Sequence, residues 1–194
     1  MKQTIVNLTK SFVGESQARN RYSFYARIAQ KGGYEQIGEI FTITADNEKA
    51  HAKRFFEHIQ ELKKKLKLKD EFIDVPTTAP NVYGTTIENI KASIESEHHE
   101  YTEMYPEFAK VAEKEGFTDI AKRWKAVSIA EKHHEERFQK LLEQLEGKTI
   151  FRKSQEIEWV CRECGYIYFG KTPPEKCPSC DHPTAFYQVK CENY

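Results

Sequence analysis

The sequence predicts a mostly α protein, in which a four-helix bundle precedes a small β-rich metal-binding domain. Over four long segments, apolar residues recur at spacings of three and four, the pattern of helices that bury one face. Carboxylate and imidazole side chains interrupt these apolar stripes. All five cysteines of the 194-residue chain lie between Cys161 and Cys191, so the composition changes sharply after the fourth segment.

The charge balance excludes several classes of partner. The chain carries 30 basic and 30 acidic residues, interleaved and with no net charge, so no basic surface for nucleic acid or membranes is expected. No apolar run approaches the length of a membrane span. The N-terminal segment MKQTIVNLTKSF lacks an apolar signal core, and a cytoplasmic location is therefore expected. In that reducing compartment, paired CxxC motifs bind metals rather than form disulfides.

The first helix is predicted over residues 4–31, where Gly32 and Gly33 end it, and the second over residues 34–67. The face that the first helix should bury carries Ile5, Leu8, Phe12, Glu15, Ala18, Tyr22 and Ala29. The corresponding face of the second helix carries Ile37, Phe41, Thr44, Glu48, His51, Phe55, Leu62 and Leu66. The proline-containing residues 70–86 are long enough to cross the bundle, so helices two and three are expected to run parallel.

The third helix is predicted over residues 87–115 and the fourth over residues 118–146, and each ends at a glycine. Pro106 lies inside the third helix and predicts a kink or a local bulge. The predicted buried face of the third helix carries Ile87, Ile90, Ile94, Glu97, Tyr101, Met104, Phe108 and Val111, with Glu100 beside it. The predicted buried face of the fourth helix carries Ile120, Trp124, Val127, Glu131, His134, Phe138, Leu141 and Leu145.

The chain is therefore divided into a helix bundle (1–147), a linker (148–158) and a C-terminal metal domain (159–194). The last part is rich in aromatic and turn residues and is too short to fold on an apolar core alone. A bound metal is expected to hold it together.

Six ionisable residues occupy positions where core leucines would be usual. They are Glu15, Glu48, His51, Glu97, Glu131 and His134. Each would cost several kcal/mol to bury unpaired, so cations are expected among them. One Glu each from helices one and three, with an ExxH pair each from helices two and four, is the ligand set of ferritin-like di-iron or di-manganese bundles. With Glu100 as a fifth carboxylate, this oxygen-rich set favours iron or manganese over zinc or magnesium.

Another interpretation is a buried polar network without metal. The phase of the helices argues against it, because both ExxH pairs fall on apolar stripes. A third pair, Glu95 with His98, falls on the polar face of the third helix and is not predicted to bind metal.

The cysteines predict a second metal site. Cys161 with Cys164 and Cys177 with Cys180 form two CxxC motifs, a strong signal for four-thiolate ligation of zinc or iron. The flanking CGYIY and CPSC segments resemble the knuckles of rubredoxin and favour iron, with a zinc ribbon as the alternative. Cys191 is left over and is not expected to be a ligand.

The chain resembles rubrerythrins over nearly its whole length. The resemblance rests on the cysteine motifs and on GESQARNRY around Glu15, DNEKAHAKRF around Glu48, EHHEYTEMYPEFA from Glu97 and AEKHHEERF around Glu131. It implies a ferritin-like di-iron bundle fused to a rubredoxin-like domain with one iron. The stretch between the two CxxC motifs is shorter than in free-standing rubredoxins, which is typical of the fused module.

The resemblance also implies roles for individual residues. Glu48 and Glu131 would bridge the two irons, Glu15 would be terminal on one, and Glu97 with His134 would complete the other. In rubrerythrins, a carboxylate at the position of Glu100 and a histidine at the position of His51 exchange as ligands of one iron. His51, Glu100, Tyr22 and Tyr105 are the catalytic residues that the resemblance implies.

The implied function is a non-haem peroxidase that reduces hydrogen peroxide to water in oxidative-stress defence. Electrons would come from a rubredoxin or a flavin-dependent NADH reductase and pass through the four-thiolate iron. A homodimer is expected, and its subunits could exchange domains. Two alternatives stay open, a ferroxidase or other iron-handling protein and a zinc-ribbon interaction protein with a structural bundle.

Overall fold

The computed structural model describes residues 2–69 and 71–192 and confirms the predicted fold class, a mostly helical chain with a small C-terminal sheet. The helices are α1 (Gln3–Lys31), α2 (Glu35–Leu66), α3 (Thr86–His99), α4 (Tyr105–Lys114) and α5 (Thr118–Glu146). A π-helical turn, Glu100–Met104, joins α3 directly to α4, so these form one continuous third arm. No helix in the described ranges combines the length and apolar character needed to span a membrane.

Two apolar clusters close the bundle, one towards each end. One cluster joins Leu8 near the start of α1, Phe55 in the second half of α2, Ala112 near the end of α4 and Trp124 near the start of α5. The other joins the C-terminal halves of α1 and α5 to the first parts of α2 and α3. Helices α2 and α3 therefore begin at the same end of the bundle and run parallel, as predicted from the length of the crossover segment between them.

The third arm departs from the predicted stripe after Glu97. The amide of Tyr105 donates to the carbonyl oxygen of Glu100, five residues back, so this turn holds one more residue than an α-helical turn. Pro106 follows at once, and it has no amide hydrogen to continue an α-helical ladder. The extra residue advances the buried face by one position. The predicted bulge is confirmed, and the predicted stripe residues Met104, Phe108 and Val111 come to lie half-buried at the margin of the core rather than at its centre.

The face that is buried instead carries Glu100, Tyr105, Ala109 and Ala112. The π-helical turn thus rotates Glu100 from the edge of the stripe into the interior. It also brings Tyr105 inward, where the side chain is fully buried.

The C-terminal part is a three-stranded antiparallel sheet with the order β2-β1-β3. Its strands are β1 (Ile157–Cys161), β2 (Ile167–Gly170) and β3 (Tyr187–Val189), and one 3₁₀ turn, Thr184–Phe186, precedes β3. Trp159 is fully buried beneath the sheet, and its indole nitrogen donates to the carbonyl oxygen of Gly170 at 2.9 Å. The small core contains two of the cysteines, Cys161 and Cys177, together with Tyr187.

The sheet domain contacts the beginning of α2. The Arg162 guanidinium lies 2.6 Å from the carboxylate of Glu39. At the residue before α2, the rings of Tyr34 and Phe151 stack with centroids 6.1 Å apart and almost parallel planes. Helix α5 ends at Glu146 and β1 begins at Ile157. The finer domain boundaries stay a prediction.

The start of α1 is capped from a distant part of the chain. The Glu115 carboxylate, at the end of α4, accepts hydrogen bonds from the amides of Gln3 at 3.0 Å and Thr4 at 2.9 Å. Lys2, at the N-cap position, provides no side-chain cap. Burial alone would raise the pKa of Glu115, but the hydrogen bonds from Thr4 and Gln3 lower it below its usual value.

Replacing Glu115 by Gln should lower the free energy of unfolding by about 1 kcal/mol at pH 7, because an amide caps the two helix amides less strongly than a carboxylate. A carboxyl group whose pKa is lower in the folded chain stabilises above its unfolded pKa of about 4.3, and this contribution is lost as the pH falls through the folded pKa. Urea unfolding of both proteins, followed by circular dichroism, should therefore show a difference at pH 7 that shrinks below about pH 4. Glu107→Gln on the exposed side of α4 is the control. A difference that stayed constant with pH would contradict this assignment.

Candidate metal centres

The six predicted carboxylate and imidazole residues form two overlapping groups in the middle of the bundle. In each group, one potential ligand atom per residue lies within 4.8 Å of all the others. The first group consists of Glu15, Glu48, His51 and Glu131. The second consists of Glu48, Glu97, Glu131 and His134. Glu48 and Glu131 belong to both groups, so each could hold two neighbouring ions at once.

The two ExxH pairs are arranged almost symmetrically. Residues three apart on a helix share a face, so Glu48 with His51 and Glu131 with His134 both point inward. The Nδ1 atom of His51 lies 3.0 Å from Glu48 and 3.0 Å from Glu131. The Nδ1 atom of His134 lies 3.1 Å from Glu48 and 2.9 Å from Glu131. Each imidazole therefore faces both shared carboxylates.

The donor atoms fit metal ligation better than mutual hydrogen bonding. Within the described part of the chain, several fully buried atoms have close neighbours but no hydrogen bond of acceptable geometry. They are Glu15 Oε2, Glu48 Oε1, Glu97 Oε2, both carboxylate oxygens of Glu131, and His134 Nδ1. Unsatisfied polar atoms are rare in folded proteins, and here they converge on a common space. Two cations of a first-row metal would satisfy them together.

The electrostatics of the cluster also call for cations. Burial first, and the charge of Glu48 next, raise the pKa of Glu97 to about 8. Burial and the charges of Glu131 and Glu48 raise the pKa of Glu15 well above its usual value. Burial alone would lower the histidine pKa values, but the surrounding carboxylates raise that of His51 to about 10 and that of His134 to about 12. Metal ligation requires deprotonated carboxylates and imidazole lone pairs, so metal binding to this cluster would release protons.

Glu100 lies outside both groups but next to them. It is 7% exposed, and its pKa is raised well above the usual value by burial first and then by Glu97, Glu131 and Glu48. The structure thus brings His51 into the first group and leaves Glu100 at its edge.

Both predicted tyrosines contact the cluster directly. The Tyr22 hydroxyl donates a short hydrogen bond to Glu97, and the Tyr105 hydroxyl donates one to Glu15. Both side chains are buried, and burial together with the neighbouring carboxylates raises the pKa of each phenol well above its usual value. These hydroxyl groups stay protonated, so they act as donors to Glu97 and Glu15.

Sequence reasoning missed two residues that support the cluster. Asn47 Oδ1 lies 3.2 Å from His134 Nε2, on the side of the ring that faces away from the carboxylates. An acceptor there keeps the proton on Nε2 and leaves the Nδ1 lone pair for a metal. Arg137 donates to the Thr44 hydroxyl at 2.6 Å and adds positive charge near Glu97 and Glu48. Asn47 is off the apolar stripe, so helical periodicity could not identify it.

The residues of the rejected third ExxH pair lie elsewhere. The imidazole of His98 is more than half exposed and faces Glu135 at 3.1 Å. The neighbouring His99 faces Glu103 at 3.3 Å on the surface.

The four predicted cysteine ligands form a separate group in the sheet domain. Cys161, Cys164, Cys177 and Cys180 bring their sulfur atoms within 4.8 Å of one another. The Cys161–Cys180 and Cys164–Cys177 sulfur distances are both 3.7 Å. Disulfide sulfurs would lie about 2 Å apart, whereas a tetrahedron with metal–sulfur bonds of about 2.3 Å has edges of about 3.8 Å. The geometry matches a four-thiolate metal site.

The two sides of this thiolate site differ in exposure. Cys161 and Cys177 are buried, whereas Cys164 is exposed. The amide of Tyr166 lowers the pKa of the Cys164 thiol, so the backbone favours its thiolate form. The exposed Cys164 edge is the side from which another protein could approach the metal. Cys191 lies outside the four-cysteine group.

Comparison with known proteins gives consistent matches. The family model described as Rubrerythrin matches residues 7–142, and that of its rubredoxin-like domain matches residues 159–188. A relative from Methanocaldococcus jannaschii is 58% identical and covers 100% of this chain and 96% of its own. Rubrerythrin-1 from Clostridium acetobutylicum is 45% identical, covering 99% of this chain and 96% of its own. The structure of fully reduced, all-ferrous nigerythrin has a TM-score of 0.64 at 27% identity, covering 96% of this chain and 86% of its own.

Replacing Asn47 by Ala should weaken metal binding to the second group by about tenfold or more, because His134 loses the acceptor that fixes its tautomer. Titration of the metal-free protein with ferrous or cobaltous ion against a competing chelator measures this affinity. Asn47→Asp retains an acceptor and should retain the affinity. Asp46→Ala, an exposed neighbour on the same helix, controls for unspecific effects. Equal affinities in wild type and Asn47→Ala would refute the role of Asn47.

Proposed function

The chain belongs to the rubrerythrin family, and we propose that it reduces hydrogen peroxide to water at the carboxylate cluster of its bundle. The family supports a general role as a peroxidase in oxidative-stress defence. The chain has the glutamate and histidine cluster of the family di-iron site and a rubredoxin-like four-cysteine iron site. The observation that carries the proposal is the overlap of the two ligand groups at Glu48 and Glu131.

The overlap supports one assignment of ligands. Glu48 and Glu131 would help to hold both irons, Glu15 and His51 would help to hold one of them, and Glu97 and His134 the other. When bound, the two irons supply the two electrons that cleave the O–O bond. The reaction, H2O2 + 2 e⁻ + 2 H⁺ → 2 H2O, also needs two protons at the oxygen atoms.

In this proposal, Glu100 holds and transfers a proton. A buried carboxyl group that is not bound to metal favours its neutral form, and Glu100 is buried beside the ligand groups without belonging to them. By the resemblance, His51 and Glu100 would both be able to hold one of the irons, and Glu100 would carry a proton whenever it is not a ligand. The Tyr22 and Tyr105 hydroxyls hold Glu97 and Glu15 in position.

Electrons would enter through the four-cysteine iron site. The exposed Cys164 edge is accessible to a donor such as a rubredoxin or a flavin-dependent NADH reductase. A four-thiolate iron carries one electron at a time with little change in geometry. The dimer, with or without exchanged domains, and the cytoplasmic location stay predictions.

In a steady-state assay with an NADH-fed flavin reductase, the iron-loaded protein should consume one NADH for each peroxide. One NADH supplies two electrons, and the reduction of one peroxide takes up two. NADH absorbance and a peroxide electrode measure both quantities together. A ferroxidase would instead consume ferrous iron, release ferric product and show no proportional NADH oxidation. That outcome would replace the peroxidase proposal.

The electron route has its own control in the same assay. Cys177→Ser removes one buried thiolate of the four-cysteine site, which lies in the core of the sheet domain and shares no residue with the carboxylate cluster. This variant should lose NADH-driven turnover, while its chemically reduced bundle should still be oxidised by added peroxide. Unimpaired turnover of Cys177→Ser would exclude the relay.

Replacing Glu100 by Ala should lower kcat by about tenfold or more while both irons stay bound, because the proton-holding carboxyl group is lost. Peroxidase kinetics and iron analysis of the same preparation check this.

Glu103→Ala is the matched control for Glu100, since Glu103 lies on the same π-helical turn but faces solvent. Its kinetics should equal those of the wild type. Unchanged kinetics in Glu100→Ala with full iron content would disprove the role of Glu100.

A further inference from the structure

A cavity of about 780 Å³ lies between α1, the third arm and the crossover segment. Residues 76–82 of that segment form one wall, and Gly14 and Gln17 of α1 contribute to another. The Tyr25 hydroxyl donates to the carbonyl oxygen of Val82 at 2.6 Å, and Tyr25 itself is almost fully buried. The wall that the crossover forms is therefore tied to the bundle.

The cavity reaches the carboxylate cluster through Glu100. This residue lines the cavity, and it follows Glu97 of the second ligand group by three residues on the third arm, so the two share a face of the helix. Glu100 thus stands between the cavity and the proposed irons. A molecule in the cavity would meet Glu100 before any other member of the cluster.

The cavity is much larger than a hydrogen peroxide molecule. A water molecule occupies about 30 Å³ of liquid, and hydrogen peroxide is on the order of twice that. A volume of about 780 Å³ falls within the range of sites for much larger organic ligands.

The lining suits an uncharged, partly apolar molecule. Met104 and Phe108 border the cavity from the third arm, and Val82 borders it from the crossover. The polar part of the lining is smaller and includes Gln17 and Ser96. The Arg21 guanidinium fixes both side chains, since it donates to Gln17 at 2.7 Å and to the Ser96 hydroxyl at 3.3 Å. Lys10 and Glu95 also line the cavity, so it carries formal charges of both signs and does not favour a ligand of one particular charge.

From these observations we infer that the cavity binds organic hydroperoxides with a compact alkyl or aryl group, and that the protein reduces them to alcohols. This rests on the proposed peroxidase function. The reaction is ROOH + 2 e⁻ + 2 H⁺ → ROH + H2O. The O–O bond breaks, the two electrons come from the same flavin- or rubredoxin-type donor, and one proton ends on each oxygen. The organic group occupies the apolar part of the cavity while the O–O group lies towards Glu100.

Gly14 makes the cavity wide at its α1 wall. A Cβ atom at this position would meet no other atom within 4 Å, so a larger side chain would extend into open space. The backbone is ordinary α-helix there, and leucine favours a helix more than glycine does. Gly14→Leu should therefore fold and narrow the cavity.

The test compares kcat/KM for cumene hydroperoxide with kcat/KM for hydrogen peroxide in the iron-loaded full-length protein. Wild type should reduce both substrates. Gly14→Leu should lower the kcat/KM for cumene hydroperoxide, relative to that for hydrogen peroxide, by about tenfold or more, because the leucine side chain excludes the organic group from the cavity. Val82→Trp, which narrows the cavity from the opposite wall, should lower the ratio in the same direction if Gly14→Leu does not fold.

The control places the same side chain elsewhere on α1. Asn20→Leu lies on the exposed side of the helix and should leave both constants unchanged. If wild type reduced hydrogen peroxide but not cumene hydroperoxide, or if both narrowed variants kept the wild-type ratio, the inference would be wrong and the peroxidase function would stand. If wild type reduced neither substrate, the peroxidase function itself would fail, and the inference with it.

A binding measurement checks the cavity without turnover. The alcohol product, 2-phenyl-2-propanol, should bind to the wild-type protein in calorimetry or ligand-observed NMR, and about tenfold more weakly to Gly14→Leu. Equal binding to both proteins, or none to wild type, would overturn the assignment of the cavity.

Discussion

The structure depends on the burial of carboxylates that cannot be neutralised by the protein alone. In the described part of the chain, Glu15, Glu48, Glu97, Glu100 and Glu131 lie in the interior beside the imidazoles of His51 and His134, and Arg137 adds one nearby positive charge. Such a layer is stable only if protons or metal ions compensate its charge. The apolar clusters above and below provide the rigidity that keeps these side chains facing one another. The bundle is thus organised around a charge that has to be balanced from outside the chain.

The second constraint is the backbone of the third arm. An uninterrupted α-helix would leave Glu100 at the edge of the buried face and would bury Met104 in place of Tyr105. The π-helical turn changes both positions together: it buries the Glu100 carboxyl group beside the cluster and lets the Tyr105 phenol donate to Glu15. π-helical turns of this kind are frequent at functional sites, since they cost a little helix stability and alter the local direction of side chains. Pro106 is the residue that makes the regular alternative unfavourable.

Much of this arrangement was predictable from the sequence, because it follows from local rules. Predicted ligands such as Glu131 and His134 lie at the helical spacing of the apolar residues that α5 buries, so the periodicity of the sequence reveals them. The cysteine ligands are recognisable from the spacing within each CxxC motif. The shift of the stripe after Glu97 was not predictable in detail, since one proline indicates an irregularity but not the residue where it begins. Asn47 could not be found either, because it reaches His134 on another helix and that contact depends on how two helices are rotated against each other.

The crossover between α2 and α3 has a consequence for how such proteins can diversify. Two consecutive helices that run parallel require a chain that returns along the bundle, and here part of that return, residues 76–82, forms a wall of the cavity. Exposed connecting segments tolerate insertions and replacements much better than packed helices do. Sequence changes in the crossover segment could therefore alter which molecules reach the carboxylate cluster, while the buried carboxylates and imidazoles stay the same.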